Sequence, residues 1–163
     1  MKNILVKNVK YSENKNVTLN GWVYNTRSSG KIGFLMLRDG TGIIQCIVVK
    51  NEVKSHVFEQ FKKLTQESSI TVNGIIVENL KAPGGYELLL KNLKIHQLVE
   101  GYPVTPKEHG TEFLMKNRHL WIRSKRQYSI LKIRHEIIKA TRDFFDMNDF
   151  TLVDTPYLYI KCM

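Results

Sequence analysis

Three residues within positions 21–49 have side chains suited to holding a planar, hydrogen-bonding ligand. Phe34 alternates with Leu35 and Leu37, so if the leucines face the core, Phe34 faces outward, near Arg27 at the end of the preceding strand. An outward aromatic ring beside a guanidinium is a common stacking platform for an unpaired nucleic-acid base. Gln45 interrupts the next apolar stretch, and its amide can read the edge of a uracil or an adenine with one donor and one acceptor.

A purely structural interpretation accounts for the same residues. In that interpretation, Phe34 belongs to the core and Gln45 is a solvated strand residue. The residues around Gln45 do not alternate cleanly between apolar and polar, so the pattern leaves both interpretations open.

Charge and composition favour a polyanionic partner. The chain has 163 residues, 42% of them hydrophobic, and a net charge of +10 from 25 basic and 15 acidic side chains. This excess is typical of proteins that bind nucleic acid, although a basic protein without such a partner fits it too. The two cysteines, Cys46 and Cys162, form no CxxC pair, which argues against a disulfide framework or a zinc site. No signal peptide and no stretch of membrane-spanning length is evident, so we expect a cytoplasmic protein.

No set of residues indicates catalysis within this sequence. There is no GxxxxGK loop for phosphates and no paired nucleophile and base. Two groups of potential metal ligands are Asp143, Asp146 and Asp149, and His109, His119 and His135. We interpret the first group as a solvated, partly capping helix face, and the second lacks ligand spacing. The sequence therefore predicts no catalytic residue and no metal site.

The segments that contain and surround Phe34 and Gln45 predict a small β-barrel. Five segments rich in β-branched, leucine and aromatic residues predict strands, and one segment at helical spacing, with Ser55 as its N-cap, predicts a helix between the third and fourth strands. The strands span about 17–24, 31–39, 42–49, 68–78 and 86–96, and the helix about 55–64. This order matches a five-stranded OB-fold barrel.

Glycines mark the turns and bends of this barrel. RDGTG predicts a tight hairpin turn whose glycines are free to adopt positive φ, and APGG predicts another turn. Gly21 and Gly74 lie in the middle of their strands, where a closed barrel needs bulges or sharp bends.

The rest of the chain divides into a connector and a helical segment. Residues 99–121 carry two of the four prolines and mixed charges, which is typical of a linker. From Ser124, a capping-box residue with Gln127, a long amphipathic helix runs to Asn148 or Asp149. FTLVDTP then predicts a strand that stops at Pro156. We therefore expect a barrel domain at 1–98, a linker at 99–121 and the start of a further domain at 122–163.

These segments resemble a known family. GWVYNTRSSGKIGFLMLRDGTGIIQ is similar to the anticodon-binding OB domain of the class II synthetases for aspartate, asparagine and lysine. KEHGTEFL and RHLWIRS are specific motifs, and with the helix after them they resemble asparaginyl-tRNA synthetase. The resemblance runs from Val17 to Pro156.

The resemblance implies roles for individual residues. Phe34 would stack on the central anticodon uridine, Gln45 would read its edge, and Arg27 and Glu87 would help to position the anticodon loop. The last segment resembles the family's motif 1, in which Phe150, Val153 and Pro156 would lie at a homodimer interface. Asp149 stands where the family commonly has glycine, and it can still adopt the turn at some conformational cost.

The resemblance also implies chemistry that these 163 residues do not carry. ATP and Mg²⁺ are implied for the whole family enzyme, but the arginine-bearing motifs 2 and 3 that hold ATP are absent from this sequence. We therefore expect an N-terminal fragment of an asparagine–tRNA ligase that makes no asparaginyl-adenylate by itself. A non-catalytic OB module that binds tRNA or single-stranded RNA, and a fragment of an aspartyl-type synthetase, are the alternatives.

Overall fold

The computed structural model describes residues 2–105 and 107–154. The chain divides into two units, Met1–Tyr102 and Pro103–Met163. The first unit holds the strands and the second holds three helices.

The first unit contains the predicted strands and helix, together with one short additional strand. In chain order it holds β1 (Lys2–Asn3), a 3-10 helix (Val6–Ser12), β2 (Asn16–Ser29), β3 (Ile32–Arg38), β4 (Ile43–Val49), α1 (Ser55–Lys62), β5 (Ser69–Glu78), a 3-10 turn (Pro83–Gly85) and β6 (Tyr86–Gln97). The OB-fold architecture expected from the sequence is confirmed.

Strand β2 closes the sheet into a barrel because it serves two neighbours. The strand order is β1-β2-β3-β4-β6-β5, and β2 also pairs with β5. The first half of β2 pairs with β5, from Asn16 opposite Ile75 to Trp22 opposite Ser69, and its second half pairs with β3. The β4–β6 pair is parallel and joins Gln45 to Glu87. These pairings place the predicted site residues on neighbouring strands.

A β-bulge at Tyr24 changes which residues of β2 face outward. Val23 lies opposite Leu37 and Asn25 lies opposite Met36, so Tyr24 is the extra residue. Before the bulge the odd-numbered residues from Val17 to Val23 are buried, whereas after it Asn25 and Arg27 are exposed. The extra residue shifts the two-residue alternation by one, and this shift brings Arg27 to the outer face.

The barrel interior is lined by the alternate residues of each strand. In β3 and β4 the buried residues are Gly33, Leu35, Leu37, Ile44, Cys46 and Val48. Helix α1 adds Val57, Phe58 and Phe61 to this core. A Cβ at residue 33 would collide with the Phe61 ring, so glycine at this position allows α1 to pack directly against β3. The prediction that Ser55 caps α1 is wrong, because Lys54 occupies the N-cap and no side chain bonds the first turn.

The two mid-strand glycines lie where strands approach closely. A Cβ at residue 21 would collide with the carbonyl of Arg38, and one at residue 74 with the carbonyl of Leu89. The register of β5 and β6 shifts between Asn73 and Gly74, whereas the bulge of β2 follows Gly21 at Tyr24. The predicted bends are therefore present in both strands.

The two predicted turns form by different means. Gly84 and Gly85 adopt φ values of 79° and 77° between β5 and β6, where a side chain would be strained. The RDGTG turn joins β3 and β4 as predicted, but neither Gly40 nor Gly42 is among the positive-φ residues, so the freedom of these glycines is not used. There the Asp39 carboxylate shapes the turn by accepting from the backbone N–H groups of Thr41 and Gly42, at 2.7 and 3.0 Å.

The second unit is helical over most of its described length. It contains α2 (Thr111–Lys116), α3 (Arg118–Trp121) and α4 (Lys125–Met147). The Ser124 hydroxyl accepts from the Gln127 N–H at 3.4 Å, which confirms the predicted cap of α4. The helix ends at Met147 with Asn148 as its C-cap, and Asp149 adopts φ 63°, in keeping with the helix end that the sequence predicted at these two residues.

The predicted strand after α4 is not formed over residues 150–154. These residues have no regular secondary structure. A strand needs hydrogen bonds to a neighbouring strand, and the described residues of the second unit contain no strand that could supply them. Pro156, with the end of the predicted strand, and Cys162 lie outside the described residues.

Helix α4 exposes its predicted apolar face. Between about two-fifths and three-fifths of each large side chain on this face is accessible: Ile130 46%, Leu131 41%, Ile137 60%, Ile138 43%, Phe144 58% and Phe145 46%. Among the helices of the described residues, none combines the length and apolarity needed to cross a bilayer.

Candidate nucleic-acid interface

Phe34 and Gln45 lie on the same outer face of the barrel. In β3 the half-buried residues Phe34, Met36 and Arg38 alternate with buried ones, and in β4 Gln45 does the same. Phe34 lies opposite Ile47, and Met36 lies opposite Gln45. Phe34 and Gln45 are therefore diagonal neighbours, about 7–8 Å apart across the two strands. That separation allows one planar ligand to touch both.

Arg27 stacks over the ring of Phe34. The guanidinium carbon lies 4.7 Å from the ring centroid, and the two residues are register partners across β2 and β3. Arg27 is exposed, while Phe34 is half-buried. The contact is within the range of a cation–π interaction and holds a flat, positively charged group at the surface. A guanidinium in this position can stack on a base or contact a phosphate.

Gln45 is held by a buried carboxylate. Its Nε2 lies 3.4 Å from Glu87 Oε2, and the same oxygen accepts from Asn79 Nδ2 at 2.9 Å. Glu87 is only 7% exposed. Because a carboxylate accepts and does not donate, it orients the Gln45 amide with nitrogen toward Glu87. The Gln45 carbonyl oxygen therefore points away from Glu87 as an acceptor.

A buried ion pair stands beside this row of residues. Arg38 Nη2 lies 2.7 Å from Glu67 Oε2, and the two side chains are 15% and 5% exposed. The Arg38 guanidinium also lies 5.8 Å from the centroid of Tyr24. Glu67 has φ 65°, an unusual backbone conformation for this residue type. The pair fixes Arg38 at the edge of the outer face.

A groove of about 280 Å³ lies at the start of β4, where Ile43 pairs with Arg38. Its lining includes Val6, Val9, Ile43 and Tyr86, with Lys7 and Lys10 among the other residues. Ile43 precedes Gln45 by two residues in β4, and Tyr86 directly precedes Glu87 in β6. The groove therefore continues the surface that carries the candidate residues.

The described residues contain no cluster suited to a metal ion. Within residues 2–105 and 107–154, no three His, Cys, Asp or Glu side chains meet in a way that could bind one. His109 instead contacts Thr105 through Nε2 and stacks on the ring of Phe113, with the centroids 4.8 Å apart. Cys46 is fully buried, and desolvation raises the pKa of its thiol far above the usual value. No reaction step through Mg²⁺ or ATP follows from these residues.

The structure brings four of the sequence-predicted residues together. Arg27 and Phe34 form one contact pair, and Gln45 and Glu87 form another. Phe150 and Val153, predicted at an interface, are 63% and 77% exposed, and the Phe150 ring contacts Phe145. Sequence reasoning missed Asn79 because it lies in a loop and acts only through Glu87. It also missed Glu67, whose partner Arg38 is 29 residues away along the chain.

Comparisons with known proteins agree with this architecture. Residues 17–95 match a family model described as an OB-fold nucleic acid binding domain, and residues 110–162 match one described as tRNA synthetases class II (D, K and N). The chain thus belongs to the class II tRNA synthetases, with an anticodon-binding OB domain preceding part of the synthetase domain.

Solved structures of tRNA synthetases are similar to this chain over nearly its whole length. The asparaginyl-tRNA synthetase of Pyrococcus horikoshii, solved with asparaginyl-adenylate, is 36% identical, with a TM-score of 0.86, over 94% of this chain. That of Entamoeba histolytica is 26% identical with a TM-score of 0.80 over 96% of this chain. The aspartyl-tRNA synthetase of Entamoeba histolytica, at 19% identity and a TM-score of 0.79 over 96% of this chain, shares the fold. The chain spans 36%, 38% and 39% of these three proteins, respectively.

Proposed function

We propose that this chain binds the anticodon loop of a tRNA on the outer face of its barrel, as part of an asparagine–tRNA ligase. The observation that supports this most directly is the row formed by Arg27, Phe34 and Gln45 on the outer face of the barrel, with the buried Glu87 bonded to Gln45. It combines a stacking surface with a fixed hydrogen-bonding edge, the two features by which proteins recognise unpaired bases.

Phe34 and Arg27 supply the stacking half of this site. Stacking on an aromatic ring is worth roughly 1–3 kcal/mol per base and tolerates any base. The half-buried position of Phe34 keeps its ring in place, because the neighbouring Gly33 and Leu35 anchor the strand in the core. Arg27 adds positive charge where a phosphodiester backbone would pass.

Gln45 and Glu87 supply the selective half. With its Nε2 turned toward Glu87, Gln45 presents its carbonyl oxygen to the N3–H of a uracil, and the second amide hydrogen can reach O4. Cytosine has an acceptor at N3 and a donor at N4, so this arrangement opposes it. Glu87 is a positioning residue in this scheme, and Asn79 holds it in place at 2.9 Å.

The amino-acid specificity and the whole enzyme's properties belong to the proposal as well. Asparagine is favoured by the 36% identity with the Pyrococcus horikoshii enzyme, against 19% for the aspartyl enzyme. By the same likeness we propose a homodimeric enzyme that uses ATP and Mg²⁺, located in the cytoplasm.

A titration of anticodon stem-loops against single variants of the full chain tests the binding proposal. We expect Phe34→Ala to weaken binding by roughly 1–3 kcal/mol whether uridine or cytidine is central. Gln45→Ala should cost about 1–3 kcal/mol against uridine and much less against cytidine, so discrimination shrinks. Arg27→Ala should reduce the salt dependence if Arg27 contacts a phosphate.

Matched variants separate binding from folding. Phe34→Leu keeps an apolar side chain at this position but removes the ring, so it should bind as weakly as Phe34→Ala while staying folded. Gln97→Ala removes an exposed glutamine elsewhere in β6 and should bind like the wild type. A folded Phe34→Ala chain with unchanged affinity for both loops would refute the stacking role. Equal losses for uridine and cytidine in Gln45→Ala would refute the edge reading.

A further inference from the structure

The α1 end of the barrel carries a second concentration of positive charge that the proposed base site does not use. The lysines that form it lie in the hairpin between β2 and β3, in the turn after β4, and in or beside helix α1. Five exposed lysines lie there: Lys31, Lys50, Lys54, Lys62 and Lys63. We call these five residues the α1-end lysines.

Backbone contacts bring the two turns of this surface together. The Lys50 N–H donates to the Lys31 carbonyl at 2.9 Å, directly beyond the last register pair of β3 and β4, Ile32 with Val49. Helix α1 is fixed next to them, because Phe61 packs against Gly33. The lysines therefore lie on segments that backbone hydrogen bonding and core packing hold in place.

The charge of this surface is largely uncompensated. Lys62 is paired with Glu59, its Nζ lying 2.9 Å from the Glu59 Oε1 and 5.4 Å from the centroid of the Phe58 ring. The pKa of Glu59 is lowered first by the hydrogen bond and charge of Lys62, and further by the charges of Lys50 and Lys63. Several ammonium groups thus surround Glu59, and with Glu52 in the turn after β4 this surface has two carboxylates for five lysines, which leaves it positively charged.

The surface adjoins the proposed base site in the direction of the strand. Lys31 precedes Phe34 by three residues of the same polypeptide, a distance of roughly 10 Å at about 3.3 Å per strand residue. Stacked nucleotides advance by about 3.4 Å each, so Lys31 lies about three nucleotides from a base on Phe34. The exposed segment from Arg27 through the hairpin tip connects the two sites.

We propose that the α1-end lysines bind the phosphate backbone of the RNA segment flanking the base held on Phe34, where the anticodon loop joins its stem. This inference rests on the proposed function. It assigns to the α1 end a contact with RNA that does not depend on the nucleotide sequence. Lysine ammonium groups suit this role, because they act as point charges toward phosphates and release condensed counterions on binding.

The test measures binding of the full chain to two RNAs over a range of salt concentrations. One RNA is an anticodon stem-loop with a central uridine, and the other is only the three central nucleotides of that loop, unpaired and without the flanking phosphates, which we call the unpaired loop. The test variant is Lys31→Gln/Lys50→Gln. The control is Lys15→Gln/Lys94→Gln, which removes the same charge from exposed residues beside the wall formed by the first half of β2, β5 and the second half of β6.

For the test variant we expect stem-loop binding to weaken about tenfold or more at about 0.1 M salt. The slope of log K against log salt should become shallower by about 0.7–0.9 for each phosphate that the variant no longer neutralises. The unpaired loop should bind nearly as well as it does to the wild type, and the control variant should lose little affinity for either RNA.

The outcomes separate this inference from the function on which it rests. If the wild type binds the stem-loop and Phe34→Ala weakens it, but the test and control variants behave alike, the α1-end inference is overturned while the base site stands. If the test variant weakens binding of the unpaired loop and the stem-loop equally, its lysines act at the base site and the inference is also overturned. If the wild type binds neither RNA, the proposed function itself fails.

The variant Glu59→Gln should change RNA binding in the opposite direction from the lysine substitutions. Removing the carboxylate frees Lys62 and raises the positive potential of the surface. We expect stem-loop binding to tighten by about twofold to threefold at low salt, with the gain vanishing at high salt. Weaker binding by this variant would contradict a phosphate site at the α1 end.

Discussion

The barrel and helix α4 both carry regular apolar patterns, but they differ in what covers them. In β3 and β4, Leu35, Leu37, Ile44, Cys46 and Val48 are at most 1% exposed, whereas Ile137 and Phe144 of α4 are 60% and 58% exposed. The barrel supplies its own partners, because a closed sheet turns one face of every strand inward. A single helix cannot do this for its own face. Periodicity therefore identifies an element and its apolar side, but it does not identify what lies against that side.

Removing core volume is the strongest way to test this contrast. Leu35→Ala should destabilise the barrel by about 2–5 kcal/mol, because it leaves a cavity among fully buried residues. Ile137→Ala should change the stability of α4 by no more than about 0.5 kcal/mol. Amide hydrogen exchange in β3 and α4 measures both effects in one chain. A comparable loss for Ile137→Ala would show that this side chain is buried in solution.

The buried ion pair of the barrel should contribute more to stability than the exposed ion pair of the helical unit. Glu67→Gln leaves the Arg38 guanidinium without its charged partner in a largely buried setting and should cost about 3 kcal/mol. Glu112→Gln breaks an exposed pair with Lys116, whose side chains are 85% and 73% exposed, and should cost about 0–0.5 kcal/mol. Urea denaturation, followed by signals specific to each region, compares them. Equal costs would mean that burial does not set the difference.

The exposed face of α4 should promote association between chains. Large exposed apolar patches favour self-association, so we expect the wild-type chain to form oligomers at micromolar concentration. Ile137→Lys/Phe144→Lys should weaken this by about tenfold or more, equivalent to about 1.4 kcal/mol. Light scattering over a concentration series measures it. A monomeric wild-type chain would show that this face is covered within the chain.

Helix caps provide a smaller contrast between the two regions. Ser124→Ala should destabilise the start of α4 by about 1 kcal/mol, because the hydroxyl accepts from Gln127 N–H. Ser55→Ala at the start of α1 should have little effect, since Ser55 does not occupy the N-cap. Hydrogen exchange of first-turn amides can detect the difference. A larger loss at Ser55 would reverse the assignment of the two caps.

The smallest expected effect is the pH dependence of the exposed Glu59–Lys62 pair. The pKa of Glu59 is lowered in the folded chain, mainly by its hydrogen bond to Lys62, from its usual 4.5. A lowered carboxyl pKa stabilises the fold above the unfolded value and loses that contribution as the pH falls through the folded value. The melting temperatures of wild type and Glu59→Gln should therefore differ slightly at neutral pH and converge in acid. A difference that grows in acid would contradict this sign.

Much of the barrel could be predicted from the sequence because its signals are local. The alternation of Leu35 and Leu37 placed Phe34 on the outer face, and the glycines at 21 and 74 marked real close approaches. The turn at Asp39 was predicted in position but not in mechanism, since its carboxylate bonds were not visible as a pattern. The strand expected after α4 failed because pairing depends on a neighbour, and sequence propensity alone does not supply one.

The candidate site could be predicted only where its residues are conspicuous by type. Phe34 and Gln45 are unusual residue types at their strand positions, so the sequence alone identifies them as candidate site residues. Asn79 contacts Glu87 across the turn between β5 and β6 at 2.9 Å, and Glu67 contacts Arg38, 29 residues away along the chain, at 2.7 Å; no local pattern encodes either contact. For Arg38 and Glu67, closeness in three dimensions comes from closure of the sheet.

The extra residue at Tyr24 has a consequence for how this strand can change over time. Because Tyr24 is the extra residue of β2, a chain with one residue fewer between Val23 and Arg27 could pair with β3 without a bulge and would still place Arg27 opposite Phe34, on the outer face. A one-residue insertion in the same stretch would instead need a second bulge, or it would turn every side chain up to the hairpin to the opposite face. The segment can therefore lose one residue more readily than it can gain one, and the cation beside Phe34 is inherited through a count of residues as much as through their identity.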